Sequence, residues 1–233
     1  MLNKILLDQI LFIVLPYVSI IILLAVSIQR YRSQAFSYSS LSSQFLENQQ
    51  HFWGVVPFHY GIITILFGHL VGFFIPRELL WWNSVPIRLY FFELIGFIFA
   101  ILCMIGLVSI IVRRITTPKI KMVTSTADWI VFGIFIVQIL SGLYIAIFHP
   151  WGSSWFATSM SPYLWSIATF SPDISYLTAM PFLVKLHIAA AYAMISFFPY
   201  TRLVHVLVVP NPYLWRKPQV VRWYANWRTK RVL

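Results

Sequence analysis

The sequence predicts an all-α membrane protein with five transmembrane helices, its N-terminus outside and its C-terminus cytoplasmic. Three observations predict it. Of 233 residues, 60% are hydrophobic and only 10% are charged, against roughly half and a quarter in soluble domains. The apolar residues fall in nearly uncharged runs of about 20, the length an α-helix needs to cross a bilayer core of about 30 Å. Lysine and arginine alternate between rich and poor connections along the chain. Inside lipid each backbone N–H and C=O must be paired within its own segment, so these runs are read as helices.

The spans follow in order. Span one is Ile5–Ile28, closed by Arg30 and Arg32. Met1–Asp8 is short and weakly basic, and the run after it lacks a small-residue cleavage site, so a retained helix is expected. Ser33–Gln50 reads as a polar loop with a short surface helix. Span two is Trp53–Ile75, closed by Pro76, and a short loop carries Trp81, Trp82 and Pro86. Span three is Leu89–Val112, closed by Arg113 and Arg114; span four is Asp128–Phe148, closed by His149 and Pro150. Ser153–Pro181 reads as a loop with one amphipathic helix at the interface. Span five is Phe182–Val209, ended by Pro210 and Pro212. No stretch remains for a soluble domain, so residues 1–233 form a single transmembrane domain.

Charge fixes the expected orientation. Arg30 and Arg32, then Arg113, Arg114, Lys119 and Lys121, then six basic residues of the tail fall on one side of a five-span chain. The other side holds Lys4, Arg77, Arg88 and Lys185, partly balanced by Asp8, Glu78, Glu93 and Asp173. The positive-inside rule puts the rich side in the cytoplasm. The net charge of +11 is therefore a topology signal that also attracts lipid headgroups, and no nucleic-acid partner is expected. Trp53, Trp81, Trp82, Trp129 and Trp151 lie near span ends, as an aromatic belt does. Cys103, the single cysteine, cannot form an intrachain disulfide and reads as a small core residue.

Four of the six histidines lie within spans: His59 and His69 in span two, His187 and His205 in span five. Ionisable side chains inside a membrane are costly and mark functional interiors. Spans two and five run antiparallel in this topology, so His59 and His205 share the cytoplasmic depth while His69 and His187 lie further out. A lone intramembrane histidine is more often a packing or proton-relay residue. Two at each of two depths point instead to axial ligation of two haems. The second ring nitrogen of each is expected to donate to a backbone carbonyl or a Ser/Thr hydroxyl, fixing the tautomer. The spacings differ: ten residues against eighteen, or about 12 Å of helical rise. Tilted helices or a bend at Pro199 would have to absorb that. Gly61, Gly68 and Gly72 surround the span-two ligands. They permit either close approach of a flat macrocycle or close helix packing.

The runs Phe58-His59-Tyr60-Gly61 and Phe67-Gly68-His69 resemble the second helix of the respiratory nitrate reductase gamma subunit family, the membrane cytochrome b of that enzyme. Lys185-Leu186-His187, Phe198-Pro199-Tyr200-Thr201-Arg202-Leu203-Val204-His205, Ser42-Ser43-Gln44-Phe45-Leu46-Glu47 and Pro212-Tyr213-Leu214 extend the likeness over essentially the whole chain. The resemblance implies quinol oxidation and proton release at the outer face. It implies electron transfer through an outer haem b (His69, His187) and an inner haem b (His59, His205). The electrons would leave to a cytoplasmic iron–sulfur beta subunit and a molybdenum alpha subunit that reduces nitrate. Such a chain is a multi-pass protein of a prokaryotic plasma membrane. Where the family has a basic residue near the quinol site this chain has Tyr90, with Arg88 two residues earlier. Arg113 or Arg114 is expected either to pair a propionate of the inner haem or to be ordinary cytoplasmic charge. Rival readings are a haem b anchor of another quinone-linked oxidoreductase, a histidine-using transporter or proton channel, and a non-catalytic anchor.

Overall fold

The computed structural model describes residues 2–33 and 51–207. The expected surface helix within Ser33–Gln50, the basic tail and the motifs Ser42–Glu47 and Pro212–Leu214 lie outside the described residues. Those described are predominantly helical, with five helices long and apolar enough to cross a membrane: Leu6–Ser33, Phe52–Phe74, Pro86–Thr116, Thr126–Phe148 and Phe182–Tyr200. We call them spans one to five.

Their ends meet as an alternating bundle requires. At one face Arg30 of span one donates to Pro199 O and Thr201 O at the end of span five. On that face too, Arg114 of span three reaches Asp128 of span four. At the other face Lys185 of span five pairs with Asp8 at 2.5 Å. There Glu93 of span three accepts from the backbone N–H of Trp151 and Ser153, just past span four.

Local sequence explains the helix boundaries. Span three begins at Pro86 and runs to Thr116, longer than expected, because proline suits a first helical turn and Pro118 bars continuation. Span four starts with a reciprocal capping box between Ser125 and Asp128, which satisfies two otherwise orphaned donors. Pro76 opens a separate short helix, Pro76–Asn83, where the sequence suggested a loop.

Two expectations are corrected. Ser153–Pro181, expected to be a loop with one amphipathic helix, does carry helix, but more of it than expected and partly buried. Helical turns run from Gly152 to Ala168 and enter the core: Tyr163 is fully buried and Met160 and Ile167 nearly so, packed with Phe12, Ile145, Val184 and Ile188. Polar pairing makes this burial tolerable. Tyr163 donates to Phe12 O inside a π-helical turn of span one, and Ser161 and Trp165 both donate to Phe73 O at the end of span two.

Span five is likewise not one helix to Val209. Its α-helix covers Phe182–Phe197, then gives way to a 3₁₀ turn, Phe198–Tyr200, an extended Thr201, and a second 3₁₀ turn, Arg202–Val206. Pro199 cannot donate to the helix and its ring crowds the preceding turn.

Candidate haem-binding histidine pairs

The structure brings together His59 with His205 and His69 with His187. The first pair of rings has centres 6.2 Å apart and planes inclined by 55°. The second has centres 6.4 Å apart and planes inclined by 24°. An imidazole nitrogen sits about 2 Å from a bound first-row metal and about 1.2 Å from its own ring centre. Two imidazoles on opposite sides of one ion therefore place their centres about 6.4 Å apart. Both separations match a shared axial ion.

The break in span five removes the mismatch in spacing. Ten residues separate His59 from His69, and ten separate His187 from Phe197, the last residue of the helix. Each stretch rises about 15 Å. The eight residues from Phe197 to His205 therefore run across the bundle rather than along it.

Each ring has its Nδ1 engaged. His59 donates to Val55 O, His69 to Ile65 O and His205 to Arg202 O, each at 2.8 Å. A carbonyl only accepts, so Nδ1 carries a proton in all three, which leaves Nε2 as the nitrogen that could ligate a metal. His187 meets Ser141 Oγ through Nδ1 at 2.9 Å. That hydroxyl is 2.6 Å from Val137 O and donates to it, so the His187 Nδ1–H donates in turn. The expected partners, carbonyls and one hydroxyl, are the observed ones. The Gln138 amide donates to His187 Nε2 at 3.0 Å, and Gln138 Oε1 is left buried with no hydrogen-bond partner. Three of the four imidazoles have an Nε2 with no hydrogen-bond partner among the described residues, and the fourth, His187, would exchange its Gln138 contact for a metal. Such a set of facing imidazoles is suited to two axially ligated haems.

The glycines divide by role. A Cβ on Gly61 would lie 2.6 Å from Cys103 Cβ and 2.7 Å from its backbone, so Gly61 serves close packing of spans two and three. Cys103 is the buried core residue expected. Gly72 packs against Phe156, where a Cβ would come within 2.7 Å. Gly68 meets only Phe92, at 3.8 Å, and alone among the three leaves room for a macrocycle. Sequence reasoning missed Gly142, where a Cβ would lie 3.2 Å from His187 Cε1. It also missed Gln138 and Ser141, although two polar residues one turn apart in an apolar span are a legible signal.

The remaining candidates are also located. Arg88 stacks on Trp81 and Trp82, at 5.1 and 5.3 Å from the ring centres. Tyr90 is exposed. Arg113 and Arg114 are both buried, unlike solvated cytoplasmic charge. Arg114 is committed to Thr124 and Asp128, and Asp128 also pairs with Arg202 at 3.0 Å. A cleft of about 360 Å³ between spans two and three, lined by Phe52, Trp53, Pro57, Tyr60, Phe99 and Leu102 among others, is apolar and includes none of the four histidines.

The family model for the nitrate reductase gamma subunit matches residues 8–224. The chain belongs to the nitrate reductase gamma subunit family. It is 29% identical over 217 residues to the nitrate reductase gamma chain of Bacillus subtilis (strain 168), covering 92% of this chain and 97% of the relative. It is 31% identical over 212 residues to the respiratory nitrate reductase 2 gamma chain of Escherichia coli (strain K12), covering 89% and 93%. The respiratory nitrate reductase 1 gamma chain of the same organism is 28% identical over 221 residues, covering 93% and 97%. This gamma-family chain is thus a multi-pass membrane subunit of a nitrate reductase, an oxidoreductase complex.

Proposed function

We propose that this gamma-family chain is a di-haem cytochrome b, a single transmembrane unit over residues 1–233, that oxidises quinol near the outer face of a prokaryotic plasma membrane. Its N-terminus lies outside and its C-terminus in the cytoplasm. There it delivers electrons to an iron–sulfur beta subunit and on to a molybdenum alpha subunit that reduces nitrate. The observation that carries this reading is the two facing imidazole pairs, with the Nδ1 of every ring held by a carbonyl or hydroxyl. They are stacked at two depths in a chain of this family.

His69 and His187 would hold the outer haem, His59 and His205 the inner one. Bound there, haem iron supplies reversible one-electron chemistry. This chain's own residues supply position and field. Val55, Ile65 and Arg202 carbonyls and the Ser141 hydroxyl fix tautomer and ring orientation. The apolar walls keep water out, which strengthens every local charge interaction. Arg113 and Arg114, buried at the cytoplasmic end of span three, are suited to an inner-haem propionate. Arg88, held against Trp81 and Trp82, and Tyr90 would stand at the outer entrance of span three, where quinol would be met. The excess of basic residues on the cytoplasmic connections supports the orientation.

The test is to purify the intact chain from membranes and record haem content with a reduced-minus-oxidised spectrum. About two b haems per chain, reducible by a quinol analogue, are expected from the four ligands. A colourless protein would refute the reading, and haem that quinol cannot reduce would refute its quinol arm.

A further inference from the structure

His205 differs from the other three histidines in how it is held. His59 and His69 each donate to the carbonyl four residues earlier on their own helix, so the helix itself orients the ring. His187 also sits on a regular helix. His205 lies beyond the break in span five, on a 3₁₀ turn of five residues. Such short turns have poor hydrogen-bond geometry and little rigidity of their own. What holds this turn must come from elsewhere in the molecule.

Two contacts hold it. The first runs from span four. Asp128 Oδ1 accepts from Arg202 Nε at 3.0 Å, and Arg202 also donates to Val123 O at 2.5 Å. The backbone carbonyl of the same Arg202 receives the His205 Nδ1–H. One residue thus links a buried carboxylate to the ring that would ligate iron. The second contact comes from span one. Arg30 donates to Pro199 O at 2.6 Å and Thr201 O at 3.2 Å, carbonyls at the break in the helix. Thr201 completes the turn by accepting from Leu203 N–H. Asp128 is buried and shared with Arg114, and it is the only carboxylate on this face among the described residues. Buried charge of this kind is costly unless paired and hydrogen-bonded; beyond capping span four with Ser125, Asp128 is paired to both Arg114 and Arg202.

We propose that Asp128 and Arg30 are positioning residues for the inner haem. Through Arg202 and the Pro199–Thr201 break they set the orientation of the His205 imidazole, and Asp128 also moderates the field of Arg114 and Arg202 on that haem. The proposal rests on the di-haem reading, and its test separates the two. Wild-type, Asp128→Asn, Asp128→Glu and Arg30→Gln chains are purified in full length. Haem content, midpoint potentials and low-spin EPR are measured on each. The EPR signal reports the angle between two axial imidazole planes.

Wild-type protein without haem sinks the di-haem reading itself. If the wild type holds two haems, Asp128→Asn should alter the inner-haem EPR signal and raise its potential, because two guanidinium groups then lose their counter-charge. The outer haem should be unchanged. Asp128→Glu should restore the inner signal in part. Arg30→Gln should change the inner signal alone, by less. It decides the question by itself if Asp128→Asn does not accumulate. Inner-haem EPR and potential equal to wild type in the variants obtained, or equal changes at both haems, would overturn the proposal.

Discussion

The outer and inner histidine pairs have nearly the same ring separation, 6.4 and 6.2 Å, and are built in different ways. The outer pair joins two regular helices, and its rings are inclined by only 24°. Its distinctive partner is span four, which supplies Ser141 and Gln138 to His187. The inner pair joins a regular helix to a 3₁₀ turn, and its rings are inclined by 55°. Its distinctive partners are charged groups at the bundle's end, Asp128, Arg202 and Arg30. A membrane helix can therefore offer an oriented ligand by its own hydrogen bonding. A ligand beyond a helix break has to be anchored by polar contacts, affordable only near the water interface.

Four substitutions sharpen that contrast. The largest effect is expected from Gly61→Val. The first added carbon already meets Cys103 at 2.6 Å, and overpacking of this kind costs about 1–3 kcal/mol or more. Thermal unfolding in detergent should show a lower midpoint, with loss of the inner haem beside the displaced His59. An unchanged midpoint would mean that spans two and three are not packed at this seam.

Ser141→Ala should come next and act on the opposite pair. Loss of the group that orients a ligating histidine typically weakens binding about 10–100-fold. Haem titration of the stripped protein should show that loss at the outer site alone.

Thr201→Ala removes the cap on Leu203 N–H at 3.0 Å. A lost cap costs about 1 kcal/mol, so the inner haem should dissociate several-fold faster in a haem-transfer assay, with the outer haem unaffected. An inner haem that dissociates at the wild-type rate would place Thr201 outside the inner anchor.

The smallest effect on the fold is expected from Gly68→Ala, whose new carbon has only Phe92 within 4 Å, at 3.8 Å. Stability of the haem-free chain should hardly change, while outer-haem loading falls. Normal loading would assign Gly68 to plain surface.

Much of this was legible in the sequence. Five apolar runs gave the five spans, because lipid leaves the backbone few alternatives. The alternation of the spans paired His59 with His205 and His69 with His187. Less legible was anything set by contacts between distant segments. Ser153–Pro181 reads in sequence as a loop with one amphipathic helix, because its prolines and serines are common in turns. Its burial depends on Tyr163, Ser161 and Trp165 finding carbonyls on spans one and two. The span-five break was announced by Pro199, but its direction is fixed by Arg30, over 160 residues earlier. Gly61 and Gly68 are indistinguishable in sequence, and only the neighbouring Cys103 separates a packing glycine from one beside open space.

The most direct test replaces each of the four histidines by alanine, one at a time, and records the haem spectrum and haem-to-protein ratio of each purified chain. His59 and His205 variants should lose one and the same spectral component, and His69 and His187 variants the other, each keeping about one haem. Losses that group by helix, His59 with His69, or four variants that all retain both components, would contradict it.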